Sequence, residues 1–223
     1  MPALRAHNLA VSLDGYLAGP DQGLDHPLGH GGEGLHGWAF ATPTFRRVHG
    51  MPALDGPHDP VDEAFMVRGD EGVGATIMGR NMFGPVRGPW DATPEGRAWT
   101  GWWGEEPPYH HPVFVLTHHA QEPITMKGGT TFHFVTDGIE SALNQAFRAA
   151  GGLDVRIGGG AATVQQYLRA GLVDELHLAI VPVLLRGGER LLDRLDGGPA
   201  GLEVAEFTPS STVTHVRLTR PSP

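Results

Sequence analysis

Four short motifs in this sequence carry residue types that could bind an anion. They are Ser12-Leu13-Asp14-Gly15, Met78-Gly79-Arg80-Asn81, Leu116-Thr117-His118-His119 and Ile157-Gly158-Gly159-Gly160. Together they supply the backbone amides of glycine turns, one guanidinium group, two imidazoles and hydroxyl groups. Because guanidinium groups and free backbone N–H groups bind phosphate oxygens, the set suits a dinucleotide with several phosphates.

The glycine turn at 158–160 stands between a predicted strand and a predicted helix. Val155 and Ile157 share one strand face, residues 164–168 follow helical spacing, and Gly171 is placed to end the helix. Such a turn lets a phosphate approach the helix start, although a tight turn without a ligand has the same sequence. The common pattern Gly-x-Gly-x-x-Gly would need a third glycine where Thr163 stands, so a doubly wound fold is not predicted.

The elements that must position these motifs alternate between strand and helix. The sequence predicts strands over 3–13, 75–78, 112–117, 131–135, 154–157 and 176–181, helices over 59–68, 137–149 and 161–168, and a hairpin of 201–207 with 212–219. Asp59 and Asp137 are the predicted N-caps of the first two helices. This order predicts a three-layer α/β/α fold with a mixed, mainly parallel sheet and an antiparallel C-terminal edge. If the strands are parallel, the four motifs gather at one edge of the sheet.

The composition narrows the class of protein. A length of 223 residues predicts a single domain, 1–223, in which the Gly-, Pro- and His-rich segment 24–60 is an irregular insertion or lid. The net charge of −9 argues against binding to nucleic acid or to an anionic membrane. There is no cysteine, which excludes disulfides and thiolate metal sites. Without an apolar signal segment or a long apolar run, we expect a cytoplasmic protein.

Histidines and tryptophans are frequent, but their spacing predicts no metal site. His26 and His30 are separated by Pro27 and Gly29, which do not favour a helix, and adjacent histidine pairs diverge on a strand. The tryptophans at 90, 99, 102 and 103 are interpreted as packing or dimer contacts.

The whole chain resembles the dihydrofolate reductase-like superfamily. It is most similar to the reductase domain of the bifunctional riboflavin-biosynthesis deaminase/reductase, in a free-standing bacterial form. The four motifs carry this resemblance, and its most specific part is the segment 171–176 followed by 181–185. The resemblance covers residues 3–219 except 24–60. It implies an NADPH-dependent reductase of a small heterocycle, of the 5-amino-6-(5-phosphoribosylamino)uracil reductase type, that acts as a homodimer.

The resemblance also implies which residues hold NADPH. Leu17 and Ala18 would contact the nicotinamide, and the Gly-Arg turn would contact the phosphates. The 117–119 turn would contact the 2′-phosphate, and the glycine turn would contact the pyrophosphate. The implied cofactor-binding residues are Leu17, Ala18, Gly79, Arg80, Asn81, Thr117, His118, His119, Gly158, Gly159, Gly160, Ala161 and Ala162.

Two positions depart from the riboflavin reductase domains. Those domains carry a lysine where this chain has Asn8, and a glutamate where it has Gly158. Both charges lie on the substrate side in the relatives, so a non-catalytic NADP(H)-binding or assembly module is an alternative.

Three carboxylates are candidate catalytic residues. Asp14 is either a turn former or a contact to substrate or water beside the nicotinamide. Asp62 and Glu63 either complement the helix dipole or, as in folate reductases, bind and help protonate the substrate. A true dihydrofolate reductase is therefore a further alternative.

Overall fold

The centre of the molecule is a sheet of nine strands, seen in a computed structural model that describes residues 1–193, 195 and 201–221. In chain order the strands are β1 (Leu4–Ser12), β2 (Tyr16–Ala18), β3 (Val73–Gly79), β4 (Pro112–Leu116), β5 (Ile124–Thr125), β6 (Thr131–Val135), β7 (Asp154–Gly159), β8 (Glu175–Val181), β9 (Glu189–Arg190), β10 (Glu203–Pro209) and β11 (Thr214–Thr219). The sheet order is β10-β11-β8-β1-β7-β3-β4-β6-β5. The remaining two strands, β2 and β9, pair with each other as an antiparallel ribbon.

The pairing confirms the predicted fold class. The neighbours β8, β1, β7, β3, β4 and β6 run parallel to one another, which aligns their carboxyl ends. At the C-terminal edge β11 is antiparallel to β8 and to β10, and these two last strands form the predicted hairpin. At the other edge β5 is antiparallel to β6.

Helices cover both faces of the sheet. They are α1 (Gly37–Phe40), α2 (Pro43–Val48), α3 (Pro60–Asp70), α4 (Arg80–Phe83), α5 (Pro94–Ala98), α6 (Ile139–Ala150) and α7 (Ala161–Arg169), with 3-10 turns at Gly32–Leu35 and Lys127–Gly129. Leu9 and Val11 pack in one core cluster with α6 and α7, whereas Ala10 packs in another with α1 and α3. Because successive strand residues point to opposite faces, these clusters lie on opposite sides of the sheet. No helix among the described residues is long and apolar enough to cross a membrane.

The start of α6 differs from the prediction. Asp137 is not its N-cap: the helix begins at Ile139 after Gly138, and no side chain caps it in the described structure. Leu143 and Phe147 of α6 are only half-buried, whereas the alanines at 142, 146 and 150 are buried. These small side chains bring α6 close to β3 and β4, so alanine rather than a large residue forms the innermost contact.

The segment 24–60 is less irregular than its composition indicates. It contains the first 3-10 turn, α1 and α2. Leu35 and Trp38 are buried against Met66 of α3 and Ala179 of β8. The segment is therefore packed onto the sheet.

The predicted N-cap Asp59 is confirmed, because its side chain accepts from the N–H groups of residues 61 and 62 at 2.8 and 3.4 Å.

Candidate functional site

A cavity of about 730 Å³ opens at the carboxyl ends of β1, β7, β3 and β4. This volume is within the range of ligand pockets, roughly 300–1,000 Å³. All thirteen residues that the resemblance places at the cofactor line this one cavity. The parallel register explains the result, because it aligns turns that are far apart in the sequence.

The glycine turn between β7 and α7 leaves backbone open to the cavity. Gly159 has φ +138°, a conformation that disfavours a side chain, and Gly160 precedes the nine-residue helix α7 without a side-chain cap in the described structure. The turn also packs against the end of β3, because a Cβ on Gly79 would overlap Thr163 Oγ1. Thr163, which broke the common dinucleotide pattern, is thus the contact that joins two cavity turns.

Arg80 is a buried cation without a partner in the cavity wall. Its guanidinium carbon lies 3.7 Å from the centre of the Trp90 ring. None of its three side-chain nitrogens has a hydrogen-bond partner among the described residues, and all three are buried. Burial, and then the neighbouring charge of Arg87, lower the pKa of Arg80. Since buried charges are normally paired, this geometry fits an anionic ligand such as a phosphate.

Trp90 connects Arg80 to the 117–119 turn. Its indole Nε1 donates to the His119 carbonyl at 2.8 Å, and the His119 N–H donates to Thr117 Oγ1 at 3.2 Å. Trp90 is buried, as the packing interpretation predicts. Its role as a platform for Arg80 was missed, since no sequence spacing links position 90 to position 80 or 119.

The other end of the cavity is formed largely by the segment 24–60. Its lining side chains there are Asn8, Gln22, Leu28, His36, Phe40, Phe45 and His49. The rings of Phe45 and His49 are stacked, with centroids 3.8 Å apart and planes at 15°. This aromatic wall could hold a planar ring. Below, this part is called the ring end, and the part around Arg80 and α7 is called the phosphate end.

Two histidines at the ring end have fixed ring orientations. His36 Nδ1 lies 3.2 Å from the Gly32 carbonyl, and His49 Nδ1 lies 2.9 Å from the Phe45 carbonyl. Because a carbonyl only accepts, each Nδ1 carries the proton, and a neutral ring then offers Nε2 as an acceptor. Burial lowers the pKa of His36, which favours this neutral form.

Gly158 is covered by an apolar side chain. A Cβ at Gly158 would lie 3.2 Å from Met82 Cε and 3.4 Å from its sulfur. The position where the resemblance implies a glutamate therefore faces a thioether in this chain.

The structure does not bring the three predicted catalytic carboxylates to the cavity lining. Asp14 accepts from Ser12 Oγ at 2.6 Å and from the backbone N–H groups of Arg186 and Leu185 at 2.7 and 3.1 Å. The Ser12 hydrogen bond, followed by those backbone bonds, lowers the pKa of Asp14 to about 2. Asp14 thus ties the loop after β8 to the end of β1.

Asp62 and Glu63 also point away from the cavity. Asp62 is 2% exposed and is bonded to His215 Nε2 and to the Thr212 hydroxyl, both at 2.8 Å. Glu63 accepts from the Thr44 hydroxyl at 2.6 Å and from its N–H group at 3.1 Å, at the first turn of α2. Each carboxylate therefore contacts a neighbouring element of the fold.

Comparisons with known proteins agree with this architecture. The family model described as the RibD C-terminal domain matches residues 6–215. A solved structure from Shewanella sp. PV-4, of a protein named for riboflavin biosynthesis, is 24% identical, with a TM-score of 0.61 and 99% of each chain covered. Enterococcus faecalis dihydrofolate reductase, complexed with NADP(H) and RAB-propyl, is 14% identical, with a TM-score of 0.51, covering 99% of this chain and 97% of that one. These structures confirm the dihydrofolate reductase-like fold. No curated protein matches the sequence.

Proposed function

The chain belongs to the RibD C-terminal domain family, and on that premise we propose that it is an NADPH-dependent reductase of a small heterocycle. The finer form of the proposal is the 5-amino-6-(5-phosphoribosylamino)uracil reductase type. One observation carries it: the guanidinium of Arg80, which has no hydrogen-bond partner among the described residues, lies on Trp90 beside the open glycine turn of α7. A buried cation next to free helix N–H groups is suited to a pyrophosphate.

The residues present fit the cofactor along the cavity. Arg80 and the amides of Gly160 and Ala161 would hold the pyrophosphate, the 117–119 turn would contact the 2′-phosphate, and Leu17 would meet the nicotinamide. When bound, NADPH supplies the hydride, and the protein contributes orientation and electrostatics. The ring end would then hold the substrate, with Phe45 and His49 as a flat wall.

Two other functions from the sequence have different support. The non-catalytic NADP(H)-binding module is favoured by Asn8 at the ring end and by Gly158 in the glycine turn, which replace the charges that the resemblance implies. A folate reductase would use a carboxylate beside the substrate, and Asp62 and Glu63 do not line the cavity. The placement of these carboxylates favours the first proposal over a folate reductase.

The single domain 1–223 and the homodimer remain part of the proposal. The predicted contact comprises the apolar run 176–185 and the terminal hairpin. Leu184, Val204 and Phe207 in these segments are exposed large apolar residues, which supports a partner surface there. Analytical ultracentrifugation tests it: a monomer at all concentrations would contradict the dimer.

Cofactor binding is the direct test of the proposal. Titration with NADPH is expected to quench tryptophan fluorescence, because Trp102 and Trp103 line the cavity and Trp90 lies under Arg80. NADPH should also raise the melting temperature, since a ligand that binds only the folded state stabilises it. NADH is the matched control, and we expect weaker binding because it lacks the 2′-phosphate. If NADPH at micromolar concentration does neither, the proposed cofactor is wrong.

Turnover separates the reductase from the non-catalytic module. NADPH oxidation is measured with the aminouracil precursor, with dihydrofolate and with a panel of imines and carbonyl compounds. Oxidation with any of them would exclude a purely binding role. NADPH binding without oxidation in the whole panel would support the module.

A further inference from the structure

Three polar side chains at the ring end are each tied to a backbone carbonyl of their own segment. Gln22 donates from Nε2 to the carbonyl five residues later, at 3.1 Å. His36 and His49 each donate from Nδ1 to the carbonyl four residues earlier, at 3.2 and 2.9 Å. All three side chains line the cavity. Because a carbonyl oxygen only accepts, each contact decides which atom of the side chain carries the hydrogen.

The opposite atoms of these side chains are hydrogen-bond acceptors. His36 Nε2 and Gln22 Oε1 have no hydrogen-bond partner among the described residues. Neither atom is fully buried, so both are accessible from the cavity. His49 is exposed, and its Nε2 also lacks a partner in the part of the chain that the structure describes. A neutral imidazole accepts at the nitrogen without a proton, so the ring end presents three acceptor atoms to a ligand.

No arginine or lysine among the described residues lines the ring end. Arg46 of α2 is a cation of the same segment, but it donates to two backbone carbonyls and does not line the cavity. Asn8 uses its polar atoms elsewhere: Oδ1 lies 3.0 Å from His177 Nδ1, and the amide nitrogen lies 3.5 Å from Met66 Sδ. The rest of the ring-end lining is apolar: Leu28, Phe40 and Phe45. The acceptors of the ring end therefore stand without a neighbouring positive charge.

His36 is held beside strand β2. Its ring is stacked on that of Phe40, with centroids 6.0 Å apart and planes at 25°. The carbonyl that accepts from His36 belongs to Gly32, where a Cβ would lie 3.2 Å from Gly19 N and 4.0 Å from Ala18 Cα. Gly32 thus packs directly on the end of β2, the strand that would contact the nicotinamide in the proposed function. His36 therefore belongs to the wall that joins the proposed nicotinamide position to the ring end.

The imidazole of His36 is neutral at pH 7.5. The ordinary pKa of a histidine is about 6.5. Burial lowers the pKa of His36, and the hydrogen bond to the Gly32 carbonyl acts in the opposite direction. No carboxylate of the described residues is bonded to the ring. With its single proton held on Nδ1, His36 has Nε2 free to accept.

We propose that the ring end recognises a planar, uncharged heterocycle through its ring N–H groups, and that His36 Nε2 is the acceptor that selects them. The rings of Phe45 and His49 supply the flat wall. The inference rests on the proposed function, in which this end binds the substrate. It narrows the substrate class to cyclic amides and imides with free N–H groups. A ring with a carboxylate or phosphate on this edge would meet acceptors and no cation, at a cost in desolvation.

The role of His36 could not come from the resemblance to known reductases. His36 lies in the segment 24–60, which that resemblance does not cover. The assignment depends on two structural facts, the hydrogen bond that fixes Nδ1 and the access of Nε2 to the cavity.

Uracil and 1,3-dimethyluracil are the probes that separate this selection from simple stacking. Both rings have the same carbonyl groups, but methyl groups replace the two ring N–H donors in the second. Two-bond ¹H–¹⁵N spectra of the free protein at pH 7.5 should show His36 protonated on Nδ1 alone. Uracil, with or without NADP⁺ present, should then move the His36 Nε2 resonance, and 1,3-dimethyluracil should not. The Kd for uracil should be lower by roughly two- to tenfold, as expected for one neutral hydrogen bond.

Three variants assign the preference to the acceptor atom. His36→Phe keeps a flat ring beside Phe40 but has no acceptor, so the two Kd values should become equal. His36→Gln keeps an acceptor and should retain part of the preference, which a role in packing alone would not produce. His58→Phe is the matched control, because His58 is an exposed histidine of the same segment that does not line the cavity. It should behave as wild type.

Several results would overturn the proposal. Equal Kd values for the two probes in wild type, or no binding of either probe, would contradict it whether or not the variants fold. A His36 ring protonated on Nε2 in the free protein, or a full preference for uracil in folded His36→Phe, would do the same. NADPH binding is measured separately on the same samples. A preference for uracil without NADPH binding would refute the proposed cofactor and leave the role of His36 intact, whereas NADPH binding without that preference would refute the role of His36 alone.

Discussion

The two ends of the cavity obtain their polarity in different ways. At the phosphate end, Arg80 and Arg87 supply permanent charge, and the glycine turn supplies backbone amides. At the ring end, the polar groups include the amide of Asn8 and two histidines, His36 and His49, whose Nδ1 protons are held by backbone carbonyls. One end therefore has the charge that suits an anion, and the other has neutral polar groups beside an aromatic wall.

This difference gives the proposed cofactor and the proposed substrate separate places within one cavity. The cations are confined to the end where four parallel strands finish, so the phosphates have one favourable place. Neutral acceptors at the other end would leave a phosphate unpaired there. We infer that charge distribution along the cavity sets the orientation of NADPH.

The largest expected effect is the loss of Arg80. In Arg80→Ala the Kd for NADPH should rise roughly 10- to 100-fold, because a hydrogen bond to a charged group contributes about 1.5–3 kcal/mol. Fluorescence titration measures it. Arg148→Ala removes an exposed arginine from α6 and controls for the general loss of positive charge. Equal Kd values for both variants would contradict an anion site at Arg80.

The topology of the sheet explains why the sequence predicted the phosphate end correctly. All thirteen proposed cofactor contacts lie together, because parallel strands bring distant turns to one edge and each turn is recognisable locally. The fold class and the terminal hairpin were predicted for the same reason, from alternating patterns. The predicted N-cap of α6, Asp137, was wrong. Asp137 and Gly138 both suit a helix start, and only the packing of the alanines decides where the helix begins.

The ring end could not be predicted in the same way. A chain of hydrogen bonds behind the ring end joins residues of four elements, Asn8, His177, His215 and Asp62. No sequence spacing connects these positions. The sequence offered two roles for Asp62. One was to complement the dipole of its own helix, and the other was to bind the substrate. The structure shows a third arrangement, a bond to β11, that depends on tertiary packing. His36 and His49 likewise line one cavity only because α1 and α2 pack against α3.

A second prediction concerns His177, a buried histidine behind the ring end, and the pH dependence of the free energy of unfolding. Burial holds the pKa of His177 below the value of about 6.5 expected for the unfolded chain. Below pH 6.5 the unfolded state therefore binds more protons, and the free energy of unfolding falls as the pH falls. The contribution is complete above pH 6.5 and decreases by up to about 1.4 kcal/mol per pH unit for one histidine.

Urea unfolding between pH 7.5 and 5.5 measures this slope, since ~pH 6.5 lies inside the window. His177→Gln should flatten the slope relative to wild type, even if the variant is less stable at every pH. If the free energy of unfolding of His177→Gln has the same slope against pH as wild type, His177 does not contribute to the pH dependence.

The smallest expected effect concerns Trp90, which supports the phosphate end from behind. Trp90→Phe keeps an aromatic face under Arg80 but removes the donor to the His119 carbonyl at 2.8 Å. One neutral hydrogen bond contributes about 0.5–1.5 kcal/mol, so the Kd for NADPH should rise roughly two- to tenfold.

Trp99→Phe is the matched control for this variant. Trp99 Nε1 donates to the Phe83 carbonyl at 3.0 Å, so the control also removes one indole-to-carbonyl hydrogen bond, at the opposite end of α4 from Arg80. Both variants should lose similar stability to urea, and only Trp90→Phe should weaken NADPH. If both weaken it equally, the effect is general loosening of the 84–111 segment. If only Trp90→Phe does, the 117–119 turn must be held by Trp90 for the phosphate end to keep its shape, and the anion site depends on a residue outside all four motifs.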